Sequence, residues 1–148
     1  MTAELQTGAV AAPGRVRLRD WQSRLDACIR ERRALPFAWG SQDCALFAAD
    51  CVEAVTGVDP AADARGTYSD TKGAARMLKK RGGVEALADE YLGERIAPLM
   101  VAAGDVGVID QEGGPMLAVC VGSHWLAPGV DGLVSLPIEA ARVAWRVC

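Results

Sequence analysis

The chain has 148 residues, a length that suits one domain with a core of its own. Apolar residues make up 51% and charged residues 24%, with a net charge of −3 and a pI near 5.2. No basic block is interleaved with aromatic residues, which argues against nucleic acid as a partner, and no apolar run is long enough to span a membrane. The start, MTAELQTGAVAAPG, has neither the basic front nor the apolar stretch of a secretory signal, so a cytosolic origin is expected. Residues 1–18 read as a flexible N-terminal arm, and 19–148 as a single domain.

Asp20 is positioned to cap a helix running to about Ala34, with Trp21, Leu25, Cys28 and Ile29 on one face and Pro36 as its stop. A second helix starts at Cys44. Cys44, Phe47, Ala48, Cys51, Val52 and Val55 recur at helical spacing, with Asp43 as N-cap and Gly57 as C-terminal stop. A third should cover Thr71 to Arg81, capped by Ser69 or Asp70 and closed by Gly82-Gly83, and a short fourth Val84 to Leu92. Beyond Pro98 the texture becomes β-rich, with strands expected at 105–110, 116–122, 124–127, 132–136 and 143–147. Hairpin loops are expected at 111–114, 122–123 and 128–131. Helices first and an antiparallel meander second define an α+β domain.

Five cysteines, Cys28, Cys44, Cys51, Cys120 and Cys148, form no CxxC pair and no even framework, so disulfide stapling is not expected. The single histidine, His124, excludes a multi-histidine metal site, and no metal or cofactor is expected. A cluster held by Cys44, Cys51 and Cys120 is the competing idea. Cys44 is the residue that invites chemistry, because the first turn of a helix favours thiolate over thiol and Gly40 lets the backbone turn closely into it. The same position also begins an apolar stripe, which makes Cys44 equally a core residue.

The stretch Trp39-Gly40-x-x-Asp43-Cys44 opening a helix, followed by further helices, Gly104-Asp105 at the head of a strand and a strand ending in Gly122, resembles the NlpC-type branch of the papain-like cysteine peptidases. That resemblance implies a papain-like fold in which N-terminal helices pack on a small C-terminal antiparallel sheet or half-barrel. It also implies Cys44 as nucleophile and the bacterial cell wall as target. A longer string is similar to small phage and prophage proteins encoded among tail genes. It comprises Trp21-x-x-Arg24-Leu25, Pro36-Phe37-x-Trp39-Gly40-x-x-Asp43-Cys44, Thr56-Gly57-x-Asp59-Pro60, Arg65-Gly66-x-Tyr68, Gly104-Asp105, Gly132-Leu133 and Ala144-Trp145-Arg146. This second resemblance implies a virion component of the tail tip, made in the host cytoplasm, with tail-hub and tail-tip proteins as partners and no membrane insertion.

The chain departs from the peptidase pattern at the base. The family histidine falls on Met116, and the residue that orients it falls near Ala127 or Pro128, none of which can relay a proton. If Gly122-Ser123 is a two-residue turn, His124 pairs with Val121 and lies about 16 Å along the strand from Met116. His124 is therefore a weak substitute base and reads more simply as a surface or interface residue. Trp39, Asp43 and Asp105 are the binding candidates, and Trp145 could join Trp39 beside Cys44. Asp59, Asp63, Arg65 and Tyr68 read as a turn with local carboxylate–arginine pairing. The expected function is a tail-tip structural component on a disarmed peptidase scaffold. The alternative is an active peptidoglycan endopeptidase or amidase using Cys44.

Overall fold

The computed structural model describes residues 16–147; Cys148 and most of the expected N-terminal arm lie outside that range. The four expected helices form: α1 (Trp21–Arg32), α2 (Cys44–Thr56), α3 (Thr71–Arg81) and α4 (Val84–Leu92). They are followed by β1 (Arg95–Ile96), β2 (Val106–Gln111), β3 (Gly114–Cys120), β4 (His124–Gly129), β5 (Gly132–Pro137) and β6 (Ala141–Trp145). The architecture is α+β, with four helices and a six-stranded antiparallel sheet.

Caps fix the helix limits. Asp43 Oδ1 accepts from the Leu46 amide and Asp70 Oδ1 from the Gly73 amide, while Gly57 and Gly82 end α2 and α3 in the left-handed conformation. Asp20 stands at the expected N-cap of α1 but does not cap it; its carboxylate instead pairs with Arg24. Helix α1 also stops at Arg32, short of the expected Ala34. The Arg33 carbonyl accepts from the Leu133 amide, and the Phe37 amide donates to the Gly129 carbonyl. The backbone after Arg32 is thus hydrogen-bonded to the β4–β5 hairpin, a tertiary demand that helical periodicity cannot show.

Strands β2 to β5 form the expected meander, but the sheet order is β1-β6-β2-β3-β4-β5. The last strand inserts between the first two, where Trp145 pairs with both Arg95 and Val106. Strand β1, two residues long, carries no periodicity by which a sequence could announce it. The hairpin turns are tighter than expected at two places, Glu112-Gly113 and Val130-Asp131. The Gly122-Ser123 turn is as expected, since the Val121 amide donates to the His124 carbonyl.

The central strands β2, β3 and β4 are buried on both faces over most of their length, which is why they read as continuous apolar runs. On the helix side, Val106, Val108, Leu117, Val119, Leu126 and Trp145 pack against Phe47, Cys51 and Val55 of α2 and Leu25 and Ile29 of α1. On the other side Ile109, Ala118, Cys120, Trp125 and Ala127 form a smaller cluster, covered by Val101, Met116, Leu136 and Ile138. A third cluster ties α2 to α3 through Leu46, Ala49, Ala61, Tyr68 and Ala74.

Gly107 sits beneath the Trp125 ring, and a Cβ there would lie 2.6 Å from the indole. Gly107→Ala is therefore expected to lower stability by about 1–3 kcal/mol through overpacking, read as a reduced urea midpoint with unchanged slope. A midpoint equal to that of the parent would show that Trp125 can shift without penalty.

Candidate functional site

Cys44 is the first residue of α2, presented by a turn that Asp43 organises. Gly40 has φ +86°, and a Cβ at that position would come within 2.4 Å of the Tyr68 carbonyl oxygen. Only glycine accepts this combination without moving the Tyr68 backbone. Asp43, 1% exposed, receives three hydrogen bonds: Leu46 N–H to Oδ1 at 2.9 Å, Gly40 N–H to Oδ2 at 2.9 Å and the Tyr68 hydroxyl to Oδ2 at 2.7 Å. Burial, reinforced by the Asp43 carboxylate, pushes the Tyr68 hydroxyl far above its usual range, so Tyr68 stays a donor.

The Cys44 side chain faces a cavity of only about 20 Å3, room for a single water, walled by Trp39, Tyr68, Met77, Leu87 and Leu117. Some surface of the residue remains accessible, yet the surroundings of the sulfur are apolar. Desolvation dominates and pushes the thiol up to about 11. A backbone hydrogen bond from Leu117 opposes that rise, the Asp43 charge adds to it, and the amides of Ala45 and Cys44 itself oppose it weakly. The helix N-terminus therefore does not yield a thiolate near neutral pH, contrary to the sequence argument from the dipole alone.

Met116 does not stand opposite Cys44. Alternation along β3 sends Leu117 and Val119 to the helix side and Met116, Ala118 and Cys120 to the far side. The residue at the sulfur is Leu117, one position on from the one expected. It is equally incapable of accepting a proton. His124 lies elsewhere. It lines a groove of about 270 Å3 with Trp21, Leu25, Ile29, Arg33 and Leu126, and its Nδ1 is 2.9 Å from Ser123 Oγ. Because His124 pairs with Val121, it is offset from Leu117 by about 13 Å along the strand. The two cavities share no lining residue.

Asp105 is a tether. Its Oδ1 accepts from the Val147 amide and from Arg17 Nη2, each at 3.0 Å, and Oδ2 accepts from the Ala102 amide at 2.9 Å. Arg17 also donates to the carbonyls of Ala103 and Val147 and stacks 4.2 Å over the Trp21 ring. The Leu18 amide donates to the Val55 carbonyl. Residues 17 and 18, expected in the arm, belong to the domain. Sequence inspection missed Arg17 because it is one of three alternating arginines, Arg15, Arg17 and Arg19, and nothing local distinguishes it from the other two.

The remaining candidates separate. Trp39, 37% exposed, stacks edge-on against Phe37 at 4.7 Å beside the Cys44 cavity. Trp145 is fully buried in the main core and donates its indole N–H to Asp89, away from that cavity. Asp59 pairs with Arg65 as expected, but Asp63 pairs with Arg81. Cys120 lies on the opposite face of the sheet from Cys44 and Cys51. Among the described residues, no three Cys, His, Asp or Glu side chains come together in a way that could hold a metal ion. Nor is any described helix long and apolar enough to cross a membrane.

The thiol environment has a direct readout. Raising its pKa from about 9 to about 11 leaves roughly a hundredfold less thiolate near pH 8. Alkylation of Cys44 by iodoacetamide, followed by peptide mapping, should be slower by about that factor in the folded protein than in urea. A folded-state pKa above the unfolded one leaves stability intact below pH 9 and erodes it as pH rises from about 9 through 11. Rapid labelling of native Cys44 at pH 7 would contradict this description of the pocket.

No curated protein matches the chain. A family model described as a domain of unknown function, DUF6950, matches residues 16–147, so the chain belongs to that family.

Proposed function

We propose that the protein is a structural component of a phage tail tip, built on an NlpC-type papain-like scaffold that no longer performs catalysis. The carrying observation is the pairing of the Cys44 thiol with Leu117 where a peptidase needs an imidazole, with His124 in a separate groove. Acyl transfer requires a base to take the nucleophile's proton and an acid to return one to the leaving amine. A thiol that ionises near 11, beside a leucine, supplies neither. The tail assignment draws its support from the motif string running from Trp21 to Arg146, which covers nearly the whole described chain. On this reading the partners are tail-hub and tail-tip proteins and the destination is the virion, after synthesis in the host cytoplasm. Neither nucleic acid nor membrane insertion is involved.

The test has two arms. Purified protein incubated with peptidoglycan should release no fragments beyond those released by Cys44→Ala, and mass spectrometry of particles from the producing host should find the chain in the tail fraction. Fragment release that disappears in both Cys44→Ala and His124→Ala would instead establish the endopeptidase or amidase alternative. Absence from particles would remove the tail assignment whatever the result of the digestion.

A further inference from the structure

Helix α3 carries every lysine of the chain, and its sequence, TKGAARMLKKR, contains no acidic residue. Ala74, Met77 and Leu78 form its packed face. Lys72, Arg76, Lys79 and Lys80, at i, i+4, i+7 and i+8, share the opposite face and are all exposed. Eight of the chain's arginines close on carboxylates, but among the described residues none of these four cations does. The carboxylates that bond to α3 leave this face alone. Asp70 accepts from the Gly73 amide as the helix cap, while Asp63 and Glu90 both hold Arg81. The face thus presents four charges without an ion-pair partner, on a chain whose net charge is −3.

This arrangement works against the helix itself. Lys72, Arg76 and Lys80 recur at every fourth residue, so each meets a like charge on the next turn. Lys72 also stands in the first turn, where the helix dipole disfavours a cation. Only Lys79 and Lys80, in the last turn, gain from the dipole. A face that merely meets water is served better by mixed charges at this spacing, as on α1, where Arg24 pairs with Asp20 and Arg30 with Asp26.

We propose that the outer face of α3 docks an acidic segment of a partner protein, whose carboxylates meet Lys72, Arg76, Lys79 and Lys80. From Lys72 to Lys80 the row spans about 12 Å in steps of about 6 Å, close to the roughly 6.6 Å between alternate residues of an extended chain. A short acidic segment therefore lies on this face alone. Nucleic acid and anionic lipid extend far past it, towards a chain that is acidic elsewhere. They also find on it no aromatic side chain to stack on a base and no large apolar one to enter a bilayer. The surface stands whether or not the peptidase-scaffold reading holds, because none of the four cations lines the Cys44 cavity.

The experiment is a titration of the isotope-labelled full chain with acetylated decaglutamate, followed by amide NMR shifts at low salt. Saturable shifts should centre on residues 71–81, and binding should weaken at least tenfold between 20 and 200 mM sodium chloride. Lys72→Glu should weaken binding at least fivefold and yet raise the urea midpoint of the free protein, because it replaces a like-charge contact with Arg76 by an opposite one. Lys72→Arg, which keeps the charge, should bind as the parent does. Arg19→Glu, the same change in net charge at an exposed position off α3, should leave binding within twofold of the parent. A DNA duplex of 20 base pairs and vesicles of phosphatidylglycerol should each bind at least tenfold more weakly than the peptide. Duplex or vesicle binding tighter than that would assign the face to another class of partner and overturn the proposal. So would the absence of saturable shifts, or a loss under Lys72→Glu no larger than that under Arg19→Glu.

Discussion

Asp43→Ala should cost about 4 kcal/mol of folding stability, a large share of the roughly 5–15 kcal/mol available to a domain of this kind. The carboxylate satisfies the Leu46 amide at the start of α2, the Gly40 amide in the turn and the Tyr68 hydroxyl from the loop before α3. Loss of the cap alone is worth about 0.5–2 kcal/mol, and each buried donor left unpaired adds about 1–3 kcal/mol when water cannot reach it. Asp43→Asn should fall between the variant and the parent. Its remaining carbonyl can still cap the helix, while its amide would oppose the Gly40 N–H. Tyr68→Phe removes only one of the three bonds and should cost about 1.5 kcal/mol. Urea titrations of the three variants would show this order, and an Asp43→Ala midpoint close to that of the parent would mean that the turn is held by packing rather than by the carboxylate.

Arg17→Ala should cost about 3 kcal/mol, because breaking a buried ion pair leaves its partner charge without compensation. Asp105 is 1% exposed and keeps two backbone donors after the change, which holds the loss near the lower end of the range for such pairs. Arg17→Lys retains a charge but cannot reach Asp105, the Ala103 carbonyl and the Val147 carbonyl together. It should therefore recover less than half of the loss. A double-mutant cycle with Asp105→Asn would isolate the pair, and a coupling energy below about 0.5 kcal/mol would show that Arg17 acts mainly through its stacking on Trp21.

The helices were legible from local signals: α2 and α3 carry a capping aspartate and a closing glycine, and α1 and α2 an apolar face at 3.6 spacing. The α+β class and five of the six strands followed from β-rich runs separated by turn residues. What periodicity could not convey was long-range. The early stop of α1 answers to Leu133, a residue roughly a hundred positions downstream. The insertion of β6 depends on edges offered by β1 and β2. At the candidate site, the apolar run 116–121 hid which residues face the helices, since a strand buried on both sides lacks the alternation that fixes its phase. The peptidase pattern laid its histidine on Met116, the run offered no alternation against which to check that placement, and Leu117 is found at the sulfur. Asp43 was legible as the N-cap of α2, but its bonds to the Gly40 amide and the Tyr68 hydroxyl were not, and nothing local marked Asp105 as the acceptor for the amides of Ala102 and Val147.

The position of β6 carries a consequence for how the molecule is made. Pairing of Trp145 with Val106 on one side and Arg95 on the other fills an interior seam of the sheet with residues that come after both neighbouring strands in the chain. A nascent chain still lacking them would expose hydrogen-bonding edges on both neighbouring strands, the condition under which unfinished chains pair with one another. Assembly of the sheet is thereby deferred until β6 has been translated.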